Sequence, residues 1–121
     1  MALTHYRELI AWQRAMDLVV EVYRITQQFP QTEIYGLSNQ LRRAAVSIPS
    51  NIAEGQGRGG ATDFARYLRI SNGSRQEVET QIRIARRLGY INDITMDDLI
   101  KLTEETGRLL SGLLKSIAPK E

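Results

Sequence analysis

Three short interruptions divide this 121-residue chain into long stretches of helical periodicity, and that punctuation constrains the fold more than any other feature. The first is Phe29-Pro30 with the turn at residues 31–36, the second the glycines at 55, 57, 59 and 60, and the third Gly89. Proline ends a helix because it lacks an amide donor and clashes with the preceding turn. Glycine accepts the conformations that close one. Between the breaks, apolar residues recur every three or four positions, as on one helix face. In residues 6–28 these are Leu9, Trp12, Met16, Val19, Val20 and Tyr23. In residues 38–58, with Ser38 as N-cap, they are Leu41, Ala44, Ala45, Ile48 and Ile52. Residues 62–88 carry Phe64, Leu68, Ser71, Val78, Ile82 and Ala85, with Thr62 as N-cap, Asp63 favouring the dipole and Gly89 as C-cap. Residues 95–116, capped by Thr95, carry a seam of Leu99, Leu102, Leu109, Leu110, Leu113 and Leu114, with Pro119 beyond the end. No segment reads as a strand. Long helices joined by short loops predict an all-α fold, an antiparallel up-down-up-down four-helix bundle occupying residues 1–121 as one domain.

Several function classes drop out on residue inventory. Cysteine is absent, which removes disulfides and thiolate metal sites. The lone histidine, His5, lies outside any Glu-x-x-His pair, so a di-iron centre of the bundle type lacks its ligands. The same lack removes Ser/His/Asp and Cys/His nucleophilic sets. Gly55, Gly57 and Gly60 satisfy G-x-G-x-x-G literally, but a helix precedes them where the dinucleotide fingerprint needs a strand. Asn72-Gly73-Ser74 matches a glycosylation sequon by chance, in a helix and without a secretion signal. No catalytic residue, metal site or cofactor is therefore expected. No apolar run reaches the length of a membrane span, and the first residues lack a signal-peptide pattern; a cytoplasmic protein is the expectation.

The second helix departs from a simple amphipathic pattern. It carries Pro49 near its middle, where proline costs about 3 kcal/mol in an ordinary helix. Arg43, Ser47, Ser50, Asn51 and Glu54 share a polar stripe at steps of three or four, and the third helix answers with Asn72, Ser74, Glu77 and Gln81. Buried polar groups need partners. Arg43 and Arg75 are the natural ones for Glu54 and Glu77, giving a network that fixes helix register; a small-molecule pocket is the rival reading. Val46, Pro49 and Ala53 form a second apolar stripe beside the first. A helix apolar on more than one side is buried on more than one side. In a four-helix bundle, the extra cover is expected from another subunit, so these three mark an oligomer interface.

Charge is unevenly distributed. The net charge is +2, but residues 42–87 hold nine arginines against four carboxylates. Arg66, Arg69, Arg83 and Arg87 align on one face of the third helix, with Arg86 beside them. Spaced charges usually make a solvated face. Arginines in excess also suit phosphate, because the guanidinium donates bidentately.

The blocks ELIAWQRAMDLVVEVYRITQQFP, YGLSNQLRRAAVSIPSNIAEGQGR, DFARYLRISNGSRQEVETQI and LGYI occur in the order seen in the 23S rRNA intervening-sequence (S23) family, which the chain resembles over residues 6–115. RRAAVSIPSNIAEG, residues 42–55, is the most specific block; the last helix is generic. The resemblance implies an antiparallel four-helix bundle assembled as a ring-shaped homopentamer. Relatives include accessory proteins of diversity-generating retroelements, which bind nucleic acid and a reverse transcriptase. The expectation is a non-enzymatic bacterial homo-oligomer that binds RNA through Arg66, Arg69, Arg83, Arg86 and Arg87. The alternative is an oligomeric scaffold for a protein partner such as a reverse transcriptase.

Overall fold

The computed structural model describes residues 5–117; Pro119, expected beyond the last helix, lies outside them. Helices α1 (Ile10–Thr26), α2 (Leu37–Gly57), α3 (Ala61–Arg87) and α4 (Asp93–Ile117) account for most of the chain. Single 3-10 turns at Tyr6–Glu8 and Gln31–Glu33 precede α1 and α2. Each α-helix packs on two neighbours, in the cyclic order α1, α2, α3, α4. Cross-helix contacts fix the directions. Arg42, early in α2, donates to Thr26 at the end of α1. Ser71 of α3 reaches Ile48 of α2, and Ser74 reaches Ser47. Arg86 near the end of α3 bonds Asp93 at the start of α4, Arg14 of α1 bonds Glu105 at the middle of α4, and Arg24 and Ile25 at the end of α1 share a hollow with Thr95 and Leu99 at the start of α4. All four packed pairs are antiparallel, and the bundle runs up-down-up-down.

The helix ends differ from the expected caps. Gly36, two residues earlier than Ser38, takes the N-cap position of α2; the Leu37 amide donates to Glu33 Oε1 at 3.0 Å, and Ser38 is buried inside the helix. A side chain at Gly36 would meet that carboxylate at 2.6 Å, so glycine there makes room for the cap. Gly60, not Thr62, precedes α3. Asn92, not Thr95, caps α4: its Oδ1 accepts from the Thr95 amide at 2.8 Å. At the end of α3, Gly89 has φ +80, and the Gly89 and Tyr90 amides bond the Arg86 and Ala85 carbonyls. Those paired bonds are the Schellman closure of a helix by glycine.

The expected core faces of α2 and α3 hold except at Phe64, which is half-buried: Leu41, Ala44, Ala45, Ile48 and Ile52 are buried, as are Leu68, Ser71, Val78, Ile82 and Ala85. In α4 the fully buried positions are Leu110, Thr103 and Thr106, with Leu99 and Ile100 close behind, while Leu102, Leu109, Leu113 and Leu114 are half-buried. Both threonine hydroxyls donate to carbonyls of their own helix at 2.8 Å, which satisfies them inside the core. The expected face of α1 is displaced by roughly a quarter-turn. Its core residues are Ala11, Ala15, Leu18 and Val22, whereas Met16, Val20 and Tyr23 are exposed. Two alanines let neighbouring helices approach closely, and the larger side chains remain outside.

Candidate nucleic-acid interface and apolar face

The polar stripe of α2 is about 100° wide, so its edges face different neighbours. On the α3 side, Ser47 and Ser74 hydroxyls meet at 2.8 Å, and Asn51 Nδ2 donates to the Ser47 carbonyl and hydroxyl at 2.8 and 2.9 Å. Ser71 Oγ, fully buried, donates to the Ile48 carbonyl at 2.8 Å. These bonds fall in the turn around Pro49, whose missing amide leaves the Ala45 carbonyl without its helical donor. Extra donors therefore converge on the weakened turn, and α2 continues through it.

The other members of the expected network go elsewhere. Glu54 is exposed and accepts from Arg58 at 3.0 Å, one turn along its own helix, in place of Arg43. Arg75 donates to Asn72 at 2.8 Å and reaches the Thr103 carbonyl at 3.5 Å, not Glu77. Gly107 makes space for it, since a Cβ there would stand 2.8 Å from the guanidinium. Ser50 turns towards α1. Arg43 and Glu77 are exposed at a polar hollow of about 420 Å³ between α2 and α3, beside Ser47, Ser74 and Gln81. Gln81 Oε1 is buried there without a hydrogen-bond partner among the described residues.

The second apolar stripe of α2 meets the displaced face of α1. Val46, Pro49, Ser50 and Ala53 line a groove of about 370 Å³ with Tyr6, Trp12, Met16 and Val19. Pro49 is buried within the protomer, so α1 already supplies part of the cover that α2 requires. Val46 is 39% exposed and Val20 62% exposed, with Met16 and Tyr23 also open to solvent. The seam between α1 and α2 thus carries an apolar strip with contributions from both helices. The α1 residues of that strip are the part the sequence reading missed. The signal was present: α1 carries two apolar stripes, the pattern that pointed to Val46, Pro49 and Ala53 on α2.

The five arginines of the expected nucleic-acid surface fall into two groups. Seventeen positions separate Arg66 from Arg83, about 25 Å along the helix. Near the α2–α3 loop, Arg66 lies over the Tyr67 ring at 4.6 Å and 3.9 Å from Asp63, and Arg69 is exposed. Arg58 joins them, donating to Tyr67 Oη at 2.8 Å. At the opposite end, Arg83, Arg86 and Arg87 surround a hollow of about 610 Å³ between α3 and α4. Arg86 is half-buried and donates to Asp93 at 2.5 Å. That hydrogen bond, reinforced by the opposite charge, raises the arginine pKa and lowers that of Asp93. Arg69, Arg83 and Arg87 have no carboxylate partner among the described residues, whereas Arg24, Arg58, Arg66 and Arg86 each have one and Arg14 has two.

A further polar contact locks this end of the bundle. Tyr90 Oη donates to Glu33 Oε2 at 2.6 Å, joining the α3–α4 loop to the start of α2. The phenol and the Leu37 amide lower the pKa of Glu33, and the carboxylate raises that of Tyr90. Among the described residues, no cluster of carboxylates and histidines has metal-site geometry, and no helix is long and apolar enough to cross a membrane.

Comparison with known proteins agrees with this architecture. A protein of unknown function from the S23 ribosomal protein family of Bacteroides thetaiotaomicron VPI-5482, known from a crystal structure, superposes with a TM-score of 0.78. It is 21% identical, and the match covers 88% of this chain and 99% of that one. At that identity the likeness concerns the fold alone. No functionally curated protein matches. The profile of the family described as 23S rRNA-intervening sequence protein matches residues 7–112, which include all of the first three helices and most of the fourth, and the chain belongs to that family.

Proposed function

We propose that the protein is a non-enzymatic, cytoplasmic helical bundle that assembles with copies of itself and binds RNA through the arginines of α3. The observation that carries the reading is the exposure of Arg69, Arg83 and Arg87 on one helix without carboxylate partners. Unneutralised guanidinium groups on a regular scaffold attract a polyanion and release its counterions, with little preference among bases. Arg66 and Arg86 flank them as partly neutralised contributors. The family description names a 23S rRNA intervening sequence, so RNA is the polyanion to test first.

Assembly is supported by the apolar strip on α1 and α2, centred on Val46. Five copies are what the family resemblance implies. Self-pairing of one patch closes as a dimer, while a five-membered ring requires the strip to meet a different patch on the next copy. The test is RNA binding at several salt concentrations together with the mass of the assembly by light scattering. Affinity that falls steeply with salt, on a particle several times the 13.7 kDa protomer, supports the reading. A salt-independent affinity or a monomer removes it. The scaffold alternative rests on the same apolar strip; stoichiometric co-purification of a protein partner, with no nucleic acid, decides for it.

A further inference from the structure

The hollow between the end of α3 and the start of α4 is more than a charged patch. Its walls carry Arg83, Arg86 and Arg87, while Ile84 and Met96 supply an apolar floor. Ile84 is 41% exposed despite its place among arginines. The three guanidinium groups are not equivalent. Asp93 holds Arg86 against the start of α4 at 2.5 Å, which makes it a fixed wall. Arg83 and Arg87 are exposed, without carboxylate partners, and can reach outward. An apolar surface framed by a few convergent polar groups is the general form of a small-ligand site. The charge here selects an anion, and the floor selects a flat apolar body attached to it.

We infer that this hollow receives an unpaired nucleotide of RNA, with its base on Ile84 and Met96 and its flanking phosphates on Arg83 and Arg87. The inference rests on the RNA-binding reading above and adds the class of RNA. A base inside a duplex is stacked and paired, so its faces cannot lie on this floor. A base in a single strand, loop or bulge has a free face, and such bases are the ones that proteins pack against side chains. The α3–α4 seam lies across the bundle from the apolar α1–α2 strip, so a protomer's own strip contact does not cover its hollow.

The test compares two RNA probes of equal length, a single strand of about a dozen nucleotides and a perfect duplex. Two variants are used, Ile84→Ala with Met96→Ala, and Arg83→Ala with Arg87→Ala. The alanine pair on the floor should weaken single-strand binding about tenfold and leave duplex binding unchanged. The arginine pair should weaken binding of both probes and lower the single-strand salt slope by about 1.4. Wild-type protein that binds neither probe overturns the RNA reading and this inference with it. Wild-type protein that binds RNA, with single-strand affinity indifferent to Ile84 and Met96, overturns the hollow alone. A changed assembly mass in the floor variant also overturns it, by making Ile84 and Met96 a subunit contact.

Discussion

The outer seam of α1 and α2 and the outer face of α3 are built on the same helical period, yet they differ in charge. The seam offers Met16 and Val46, exposed apolar side chains that line a groove, with Val20 and Tyr23 also exposed on α1. The α3 face sets Arg69, Arg83 and Arg87, without carboxylate partners among the described residues, beside the exposed Ile70, Ile84 and Leu88. Apolar surface left in water favours association in proportion to its area, and it is short-ranged. Spare arginine charge acts through a longer-ranged field that salt screens. One surface therefore suits a fixed subunit contact and the other a mobile polyanion. Two kinds of measurement, mass and salt dependence, separate them.

The largest expected effect lies on the seam. Val46→Lys places an ammonium in the groove, whose lining holds no carboxylate. If the seam is a subunit contact, burying that charge costs about 3–5 kcal/mol at each contact. That weakens association by about two to nearly four orders of magnitude. Light scattering should then return the 13.7 kDa protomer, with helical circular dichroism intact because Val46 is 39% exposed before assembly. An unchanged particle assigns the contact elsewhere. Next in size is the triple change Arg69→Ala, Arg83→Ala and Arg87→Ala. It should leave the mass alone and reduce the salt slope of single-strand binding by about 2. A variant that loses its assembly instead would merge the two surfaces into one.

Much of this contrast was legible in the chain, and the part that was not has a definite cause. Breaks at Pro30, the glycine loop and Gly89 placed four helices, because those residues act through local backbone chemistry. The core faces of α2 and α3 followed from period alone. On α1 the period was equally clear but its phase was not. Large residues such as Met16 and Tyr23 outweigh Ala11 and Ala15 in any hydrophobic count, although close helix packing selects the alanines. The caps slipped because their partners are remote in sequence or conformational: Glu33 caps α2 from the preceding turn, and Asn92 sits three residues before Thr95. Arg75 illustrates the same limit. Its place across α4 depends on Gly107, a residue with no sequence signal linking it to α3.

Pro49 lies between the two surfaces, on the floor of the groove. Pro49→Ala restores a helical donor, a gain bounded by about 3 kcal/mol. It also removes two buried ring methylenes, at about 0.8 kcal/mol each, and loosens the unfolded chain. Stability within about 1 kcal/mol of wild type and an unchanged mass are expected, read by denaturant titration and light scattering. A lost assembly would show that the bend at proline shapes the seam. A smaller effect, independent of both surfaces, concerns pH. Tyr90 lowers the folded-state pKa of Glu33, so this contribution to stability is present above the unfolded carboxylate value and disappears as acid protonates the folded carboxylate. The raised pKa of Tyr90 matters only above the ordinary tyrosine range. Tyr90→Phe should therefore flatten the acid side of the melting-temperature profile. A profile identical to wild type would mean that Glu33 is held by the Leu37 amide alone.

The smallest effect is expected at Glu54, where sequence and structure point in opposite directions. A carboxylate on the α2 polar stripe, paired inside the bundle with Arg43, would cost about 3–5 kcal/mol to remove, because the guanidinium would be stranded. The structure instead puts Glu54 on the outside, 3.0 Å from Arg58, with both side chains about half exposed. Exposed pairs one helical turn apart contribute about 0.3–0.5 kcal/mol. Glu54→Ala should then shift the denaturation midpoint by no more than that amount of free energy. It also frees Arg58, which stands on Tyr67 beside Arg66 and Arg69. Removing one carboxylate from that end of α3 should leave RNA affinity unchanged or slightly raised, with the gain confined to low salt. A loss of several kcal/mol would return Glu54 to the interior, and with it the arginine network that the seam and the α3 face do not require.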